Sequence, residues 1–543
     1  MSLINLNLLA KQAKKPNPNN KLFPFKISKD LKVNVYPKSI QKSGSSYFFI
    51  AKDRDGKALW VTEGGKANLI DGPLHDGIKR CSLNHRNALA IQKLFSFTKP
   101  SLLGRKNSIG CGDRLGHANA GHIRAVAGTG LKPVLAQQSV RELERTKREA
   151  EDVMDAAIWA VYQEGYKDGY GADGDHLKTP EDIDRYAKAG FTMFTLDIGL
   201  YVVNEAARMP VEEIRSRAAV LPWDVLKDTL DSATARYSNK QFNIAKEFVI
   251  RPSEEDALRS FVKYGAGIAQ TVKLTDHLKT KWAHQPVEIE LSVDETDTPT
   301  SPLEHFIIAN ELKRLGIKLM SLAPRFIGDF EKGIEYKGDL KIFKEEYTKH
   351  VQIAEKLGKY KISIHSGSDK FDVYNVVGSI GLGGVHVKTA GTSWLEALRA
   401  IDDSNPALFR EILDCARANY ENDRKSYHVT ADTQKLRPTN DYSDKELLGL
   451  LSDDNARQIL HVTFGSVLSK KDENGMVVFK DRIMKSLQDH EDVHYRYIVK
   501  HFKRHIDPII HRKKKLAHPK KKSTLLKKHS IQRRKRPHPR KKR

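Results

Sequence analysis

From residue 108 onward the chain repeats one unit: a short apolar run, a turn opened by a small or charged residue, then a helical pattern. The runs cover 108–113, 133–139, 170–177, 191–197, 287–294, 317–323, 361–365, 384–388, 427–432 and 459–464. Strands that alternate with helices pair in parallel, because each parallel neighbour needs a crossover connection. More than six such units in a row favour a closed (β/α)8 barrel over an open sheet. The expected fold is therefore α/β, a TIM-like barrel. The runs outnumber eight, so some belong to edges or extensions.

The flanks read differently. Residues 46–51 and 58–62 surround Asp53-Arg-Asp-Gly56, and Asp-Gly between two apolar runs is a strong hairpin signal. A helix is expected at 84–97 with Leu89, Ile91, Leu94 and Phe95 as its apolar stripe. Residues 1–100 are thus expected to form a small β-rich subdomain. The barrel takes 101–510, with a helical insertion near 200–285 that could serve as a lid. The formal charge of +25 looks like a nucleic-acid signal until it is located. Residues 511–543 hold 17 Lys or Arg and no acid, so 25 − 17 leaves about +8 for the rest. This basic tail is expected to be disordered, since nothing pairs its cations and Pro519, Pro537 and Pro539 break helical continuity. No apolar run approaches eighteen residues and no signal peptide is expected, so no membrane is implied. Cys81, Cys111 and Cys415 lie too far apart for a disulfide framework or metal spacing, which fits a reducing, cytoplasmic setting.

The best-defined turn is Tyr170-Gly-Ala-Asp-Gly-Asp-His-Leu-Lys-Thr179, which packs Asp175, His176 and Lys178 together. Thr179 reads as the N-cap of the next helix and Pro180 as its first residue. Taken alone, this stretch reads equally well as a capping turn with a solvated His. The other strand ends change the weighing, because catalytic groups of barrels sit where strands end. They supply Asp113, Asp197, Glu290, Asp294, Arg325, His365, Asp369, Lys370, His386, Lys388, His428, Asp432 and His461. A single strand-end His is more often structural. Several converging with carboxylates suggest a divalent metal with an open position. Arg325, Lys178, Lys370 and Lys388 at the same face suit an anionic substrate, a sugar acid or sugar phosphate. Gly110-Cys-Gly-Asp113 and Gly381-Leu-Gly-Gly384 lack the spacing of a phosphate loop.

Longer motifs make the pattern specific. Glu288-Ile-Glu-Leu-Ser-Val-Asp-Glu-Thr-Asp-Thr-Pro-Thr-Ser-Pro302, Ser321-Leu-Ala-Pro-Arg-Phe-Ile-Gly-Asp-Phe330, Ser363-Ile-His-Ser-Gly-Ser-Asp-Lys370 and His386-Val-Lys-Thr-Ala-Gly-Thr392 resemble the tagaturonate epimerase family. So do residues 171–179 and 427–432, and the likeness runs from about residue 20 to residue 508, leaving out the tail. It implies a divalent-metal-dependent epimerase that interconverts D-tagaturonate and D-fructuronate in hexuronate (galacturonate) catabolism. By the same resemblance Asp175 is the proton acceptor, Glu290 the proton donor, and His176, His365 and His386 the metal ligands. His428, His461, Asp294 and Asp197 stand at the same face without an assigned role. Imidazole ligands suit Mn²⁺, Ni²⁺, Zn²⁺ or Fe²⁺ better than Mg²⁺.

The chemistry can be argued without the family. The two ketouronates differ at a hydroxyl-bearing carbon β to the ketone, whose C–H neither carbonyl group acidifies. Deprotonation there faces a prohibitive barrier. A retro-aldol route avoids it: a base takes the hydroxyl proton and the adjacent C–C bond breaks to an enediolate held by the metal. The aldehyde half then turns over and re-adds, and an acid restores the hydroxyl. Transient oxidation is the rival, but the sequence has no dinucleotide fingerprint. Two other readings stay open: an isomerase or aldolase acting on another sugar acid, and nucleic-acid binding through the basic tail. The sequence carries no signal for the oligomeric state.

Overall fold

The computed structural model describes residues 5–517, without the side chains of 511–517. Eight parallel strands close into a barrel in chain order: Ser108–Cys111, Lys132–Ser139, Gly171–Leu177, Met193–Asp197, Glu288–Val293, Leu319–Pro324, Lys361–Ile364 and Gly384–Thr389. The eighth strand returns beside the first, with His386 opposite Ser108. A closed barrel has no free edge to receive further strands. The two surplus runs accordingly lie elsewhere. Residues 427–432 form no strand, and their backbone is satisfied by side chains: Thr430 N donates to Gln458 Oε1 (3.0 Å) and Asp432 N to Asn455 Oδ1 (3.1 Å). Residues 459–464 fall in the helices Asp454–Val462 and Phe464–Ser469. Their β-branched content suggested a strand. However, Ala456, Ile459 and Leu460 share one buried helix face, and Asp453 caps the start by accepting from Ala456 N at 2.9 Å. His428, Asp432 and His461 are therefore not strand-end residues.

Ahead of the barrel, seven antiparallel strands within 23–81 form one sheet, and residues 53–56 make the expected hairpin turn. Side-chain alternation splits its two faces. Phe48, Ile50, Leu59 and Val61 join the barrel's core, whereas Phe49, Ala51, Ala58 and Trp60 pack with Leu9 of the N-terminal helix Leu6–Lys14. The next helix runs His85–Leu94 with Asn84 as its cap, burying Ile91 and leaving Leu89 in solvent.

Between the fourth and fifth strands come the helices Val211–Ala219, Trp223–Leu226 and Leu230–Tyr237, a small hairpin, and the long helix Glu254–Lys281. They pack along the outside of the barrel, where Tyr237 Oη donates to Glu311 Oε1 of helix Pro302–Arg314 at 2.6 Å. Among the described residues none of 200–285 lines the inner or outer cavity at the barrel mouth, although Asn204 Oδ1 accepts from Asp297 N at 3.1 Å beside it. After the eighth strand, helices between Thr392 and Asp489 build a second apolar core. The last helix, Glu491–Ala517, returns to the barrel, and a Cβ on Gly378 would meet Pro508 O at 2.1 Å. Ile509 is buried, so the packed chain extends to the expected end of the barrel domain and the helix continues past it. The expected disorder and nucleic-acid contacts of the tail beyond Ala517 lie outside the described residues.

Packing also buries imidazoles as neutral rings. Burial pushes His122 and His494 down to about 4, and His350, His386 and His505 down to about 3. Their affinity for a proton is lower in the folded state than in the unfolded chain, where it sits near about 6.5. Unfolding therefore takes up protons, and stability that is whole above about pH 6.5 is lost as the pH falls toward 4 and 3. His501 works in the opposite sense: burial lowers it, but Glu396 and Asp369 outweigh burial and lift it to about 9. Its contribution is whole below about pH 6.5 and fades as the pH rises through 9. Each group changes the unfolding free energy by at most about 1.4 kcal/mol per pH unit. The five depressed imidazoles named outnumber the raised ones, His501, His176 and His365, so calorimetry should show Tm falling between pH 6.5 and 4.5. A flat Tm over that span would mean these rings are not buried neutral.

Candidate active site at the barrel mouth

Strand alternation decides which side chains enter the barrel. Asp173 and Asp175 on the third strand, Thr195 on the fourth, Glu290 on the fifth, Ser321 on the sixth, and His386 and Lys388 on the eighth are all buried there. Lys388 joins them. Its Nζ lies 2.8 Å from Asp173 Oδ2, 2.7 Å from Asp175 Oδ1, 2.8 Å from Glu290 Oε1 and 2.6 Å from Thr195 Oγ1. An ammonium has three N–H groups, so Lys388 has none to spare for the substrate anchoring expected of it. It ties the carboxylates together instead. Burial works to raise Asp175, but the Lys388 ammonium and the imidazoles of His176 and His365 hold it well below the usual carboxylate range. Glu290 is held down in the same way, and it also accepts from Ser321 Oγ at 2.5 Å. At Asp173 burial wins and lifts the carboxyl to about 6.

Above this layer the third strand breaks its alternation. Its register shifts between Gly174 and Leu177, and His176 takes φ +54°, in the left-handed region. The turn sets the His176 ring 5.1 Å from that of His365, with Nδ1 3.2 Å from Asp197 Oδ2. His365 sits between two carboxylates, Nε2 2.8 Å from Glu290 Oε1 and Nδ1 3.0 Å from Asp294 Oδ1. Burial opposes a charge on both rings, yet Asp175 and Asp197 lift His176 to about 10, and Asp294 and Glu290 lift His365. The expected cap also forms: Thr179 Oγ1 accepts from Asp182 N at 3.1 Å, and Pro180 opens the helix.

His176, His365 and Asp294 each offer a ligand atom within 4.8 Å of the others, as do His176, Asp197 and Glu295. Two imidazoles and a carboxylate facing an opening are the donor set of a catalytic first-row divalent cation. Charge points the same way. Asp175, Asp197, Glu290 and Asp294 are all held ionised. Against these four carboxylates stand two ammoniums, Lys388 and Lys178, the latter 3.3 Å from Asp197, and the lifted imidazoles of His176 and His365, whose two protons a divalent cation would replace.

His386 does not join this group. It stands two residues before Lys388, one layer deeper, with Nδ1 2.9 Å from Ser108 Oγ and Nε2 unpartnered. Asp294, which had no assigned role, takes its place. Lys370 is also displaced from the expected face. Its buried ammonium donates to the carbonyls of Glu331 (2.7 Å), Ser368 (3.1 Å) and Ile334, strapping that loop in place. Arg325 lines an outer chamber of the cavity, and His428 lies on the same chamber, exposed and 3.4 Å from Asp329.

The inner cavity, about 60 Å³ in volume and open on its outer side, lies over Asp175, His176, Asp294, His365 and Lys388. Residues 425–428 cross between it and the outer chamber. Arg145 holds that strap, donating to Tyr427 Oη and to Ser426 Oγ (2.8 Å), while Arg141 lies 5.3 Å over the Tyr427 ring. Sequence reasoning missed several wall residues. Gln137, on the wall 3.0 Å from Asp175 Oδ2, and Thr195, in the layer beneath against Lys388, share the inward parity of their strands and could have been found from it. Arg114, Arg141 and Lys332 lie beyond strand ends, where no periodicity marks them.

The tagaturonate epimerase family model matches residues 36–509. A tagaturonate/fructuronate epimerase of Thermotoga maritima is 43% identical over 479 residues, covering 87% of this chain and 96% of that one. The native crystal structure of a fructuronate-tagaturonate epimerase from Cohnella laeviribosi superposes with a TM-score of 0.83 at 39% identity, covering 88% of this chain and 96% of that one. A form of the same protein with one glycerol gives a TM-score of 0.82 at the same identity and coverage.

Proposed function

This chain belongs to the tagaturonate epimerase family, and on that footing we propose that it interconverts D-tagaturonate and D-fructuronate in hexuronate catabolism, by retro-aldol and aldol steps with a bound divalent cation. The observation that carries the mechanism is the chain of contacts from Asp175 through Lys388 to Glu290, at 2.7 and 2.8 Å, beneath the cavity floor. Asp175 is ionised and lines the cavity, so it can take the proton of the hydroxyl on the inverting carbon as the adjacent C–C bond breaks. The aldehyde half turns over and re-adds through its other face, and its new hydroxyl then needs a proton from elsewhere. Glu290 fills that role in this reading. Lys388 touches both carboxylates, so it can pass one proton to Glu290 while taking one from Asp175. Because Glu290 is held ionised at rest, it carries the proton only within a cycle.

A divalent cation held by His176, His365 and Asp294 would polarise the ketone and offset the negative charge that develops as the bond breaks. Asp197 and Glu290 orient the two imidazoles from behind, as partners of ligating histidines do. Incubating the pure protein with D-tagaturonate tests the proposal: D-fructuronate should accumulate to an equilibrium ratio. Run in D₂O, the product should carry no deuterium on the inverted carbon, because no C–H bond breaks there. Deuterium at that carbon would overturn the retro-aldol route. Turnover of another sugar acid with none of tagaturonate would favour an isomerase or aldolase of different specificity.

A further inference from the structure

Four cations line the inner cavity, and three are already paired. Lys388 is held by its carboxylates. Arg114 bonds Glu142 Oε1 at 3.0 Å and the His461 carbonyl at 3.1 Å. Arg141 faces Glu295 at 3.4 Å. Lys332 differs. Its Nζ donates to Ser366 Oγ at 2.6 Å, and no carboxylate of the described residues lies within ion-pair distance of it.

The wall that Lys332 shares is built for an anion. The 13-residue helix Thr392–Ser404 starts there at Gly391 without a side-chain cap, leaving the amides of its first turn without intrahelical acceptors. His461 closes against that start so tightly that a Cβ on Gly391 would lie 1.7 Å from its Nε2. His461 is 2% exposed and lines the cavity, and its Nδ1 has no partner; buried Thr392 Oγ1 has none either. Carboxylates and imidazoles that suit a cation line the cavity at Asp175, His176, Asp294 and His365, and the same lining holds Lys332, His461 and the helix start at Gly391.

We propose that Lys332, with the start of helix Thr392–Ser404 and His461, is the subsite for the substrate's terminal carboxylate, and that Lys332 sets the preference for a ketouronate. This rests on the ketouronate reading of the site. Retro-aldol cleavage leaves the carboxylate on the aldehyde half, two carbons from the carbon that is inverted. That half must turn over before it re-adds. A fixed carboxylate lets its C–C bonds rotate without the fragment leaving, which gives the subsite a function beyond affinity.

The test pairs Lys332→Met with Arg325→Ala, because Arg325 is the rival anchor on the outer chamber. Lys332→Met should raise KM for D-tagaturonate about 30-fold, with a smaller change in kcat. By calorimetry it should weaken D-glycerate, the three-carbon acid that matches the carboxylate end, by a similar factor. Lys332→Arg should restore most of both, and Arg325→Ala should raise KM and weaken glycerate by a clearly smaller factor than Lys332→Met. Unchanged KM and glycerate affinity in Lys332→Met, or their loss in Arg325→Ala instead, would overturn the assignment. Should the unaltered protein fail to turn over tagaturonate, the functional reading falls, while the glycerate measurement still decides the subsite.

Discussion

Asp175→Asn is expected to lower turnover by about 10³-fold or more while leaving the protein folded and its cation content unchanged. The substitution removes a base but little structure. Lys388 keeps Asp173 and Glu290 at 2.8 Å each, and the amide oxygen of Asn can still accept from it. Gln137 Nε2 now donates to Asp175 Oδ2 at 3.0 Å, and Gln137 Oε1 has no partner. A flip of that side-chain amide would let it accept from the new Asn. His176→Ala should do the reverse in one respect: it removes a member of the ligand group with His365 and Asp294, so bound cation should be lost together with activity. Initial rates and elemental analysis of both variants separate the roles. Equal loss of metal from the two would show that Asp175 is itself a ligand and that the division of labour within this dipeptide is wrong.

Alternation and connection length made the barrel legible. Eight of the ten apolar runs are its strands, and each fixes its neighbours' parity. The two false strands had the right residue types but no open edge to join, which is a property of closure and not of any local stretch. The family resemblance in the motifs at 288–302, 321–330, 363–370 and 386–392 agrees with the match over 36–509. Depth within the barrel was not legible. His365 directly follows its strand, whereas His386 has three residues of strand still to come, and that difference drops it a layer below the mouth. Lys388 looked like a free cation because its three carboxylate partners arrive from the third and fifth strands, far away in sequence. Lys370 looked the same, although its partners are the carbonyls of Glu331 and Ile334 in another loop together with that of Ser368 in its own. Long-range pairing of this kind has no period to read. The bulge that turns His176 is hidden for the same reason, since a left-handed φ at a non-glycine residue depends on contacts that over-determine it.

Stripping divalent cations with a chelator is expected to abolish turnover, and Mn²⁺, Ni²⁺, Zn²⁺ or Fe²⁺ should restore it where Mg²⁺ does so poorly. The argument is one of donor type and charge. His176 and His365 offer nitrogen to an ion, a preference of the later first-row metals, and Asp294 adds one hard oxygen. Lys388 and Lys178 leave two negative charges among Asp175, Asp197, Glu290 and Asp294 for two imidazole protons or a dication to offset. Protons on the two imidazoles can offset that charge in the stripped protein, so it should remain folded. They cannot polarise a ketone as a dication does. Loss of activity should therefore come without loss of secondary structure, and reloading should raise Tm, because an ion that binds only the folded state stabilises it by mass action. Circular dichroism, calorimetry and a turnover assay on one stripped and reloaded sample would test all three. Full activity in protein shown by elemental analysis to be metal-free would sink the prediction. The Asp175–Lys388–Glu290 relay would then have to carry the chemistry without a Lewis acid.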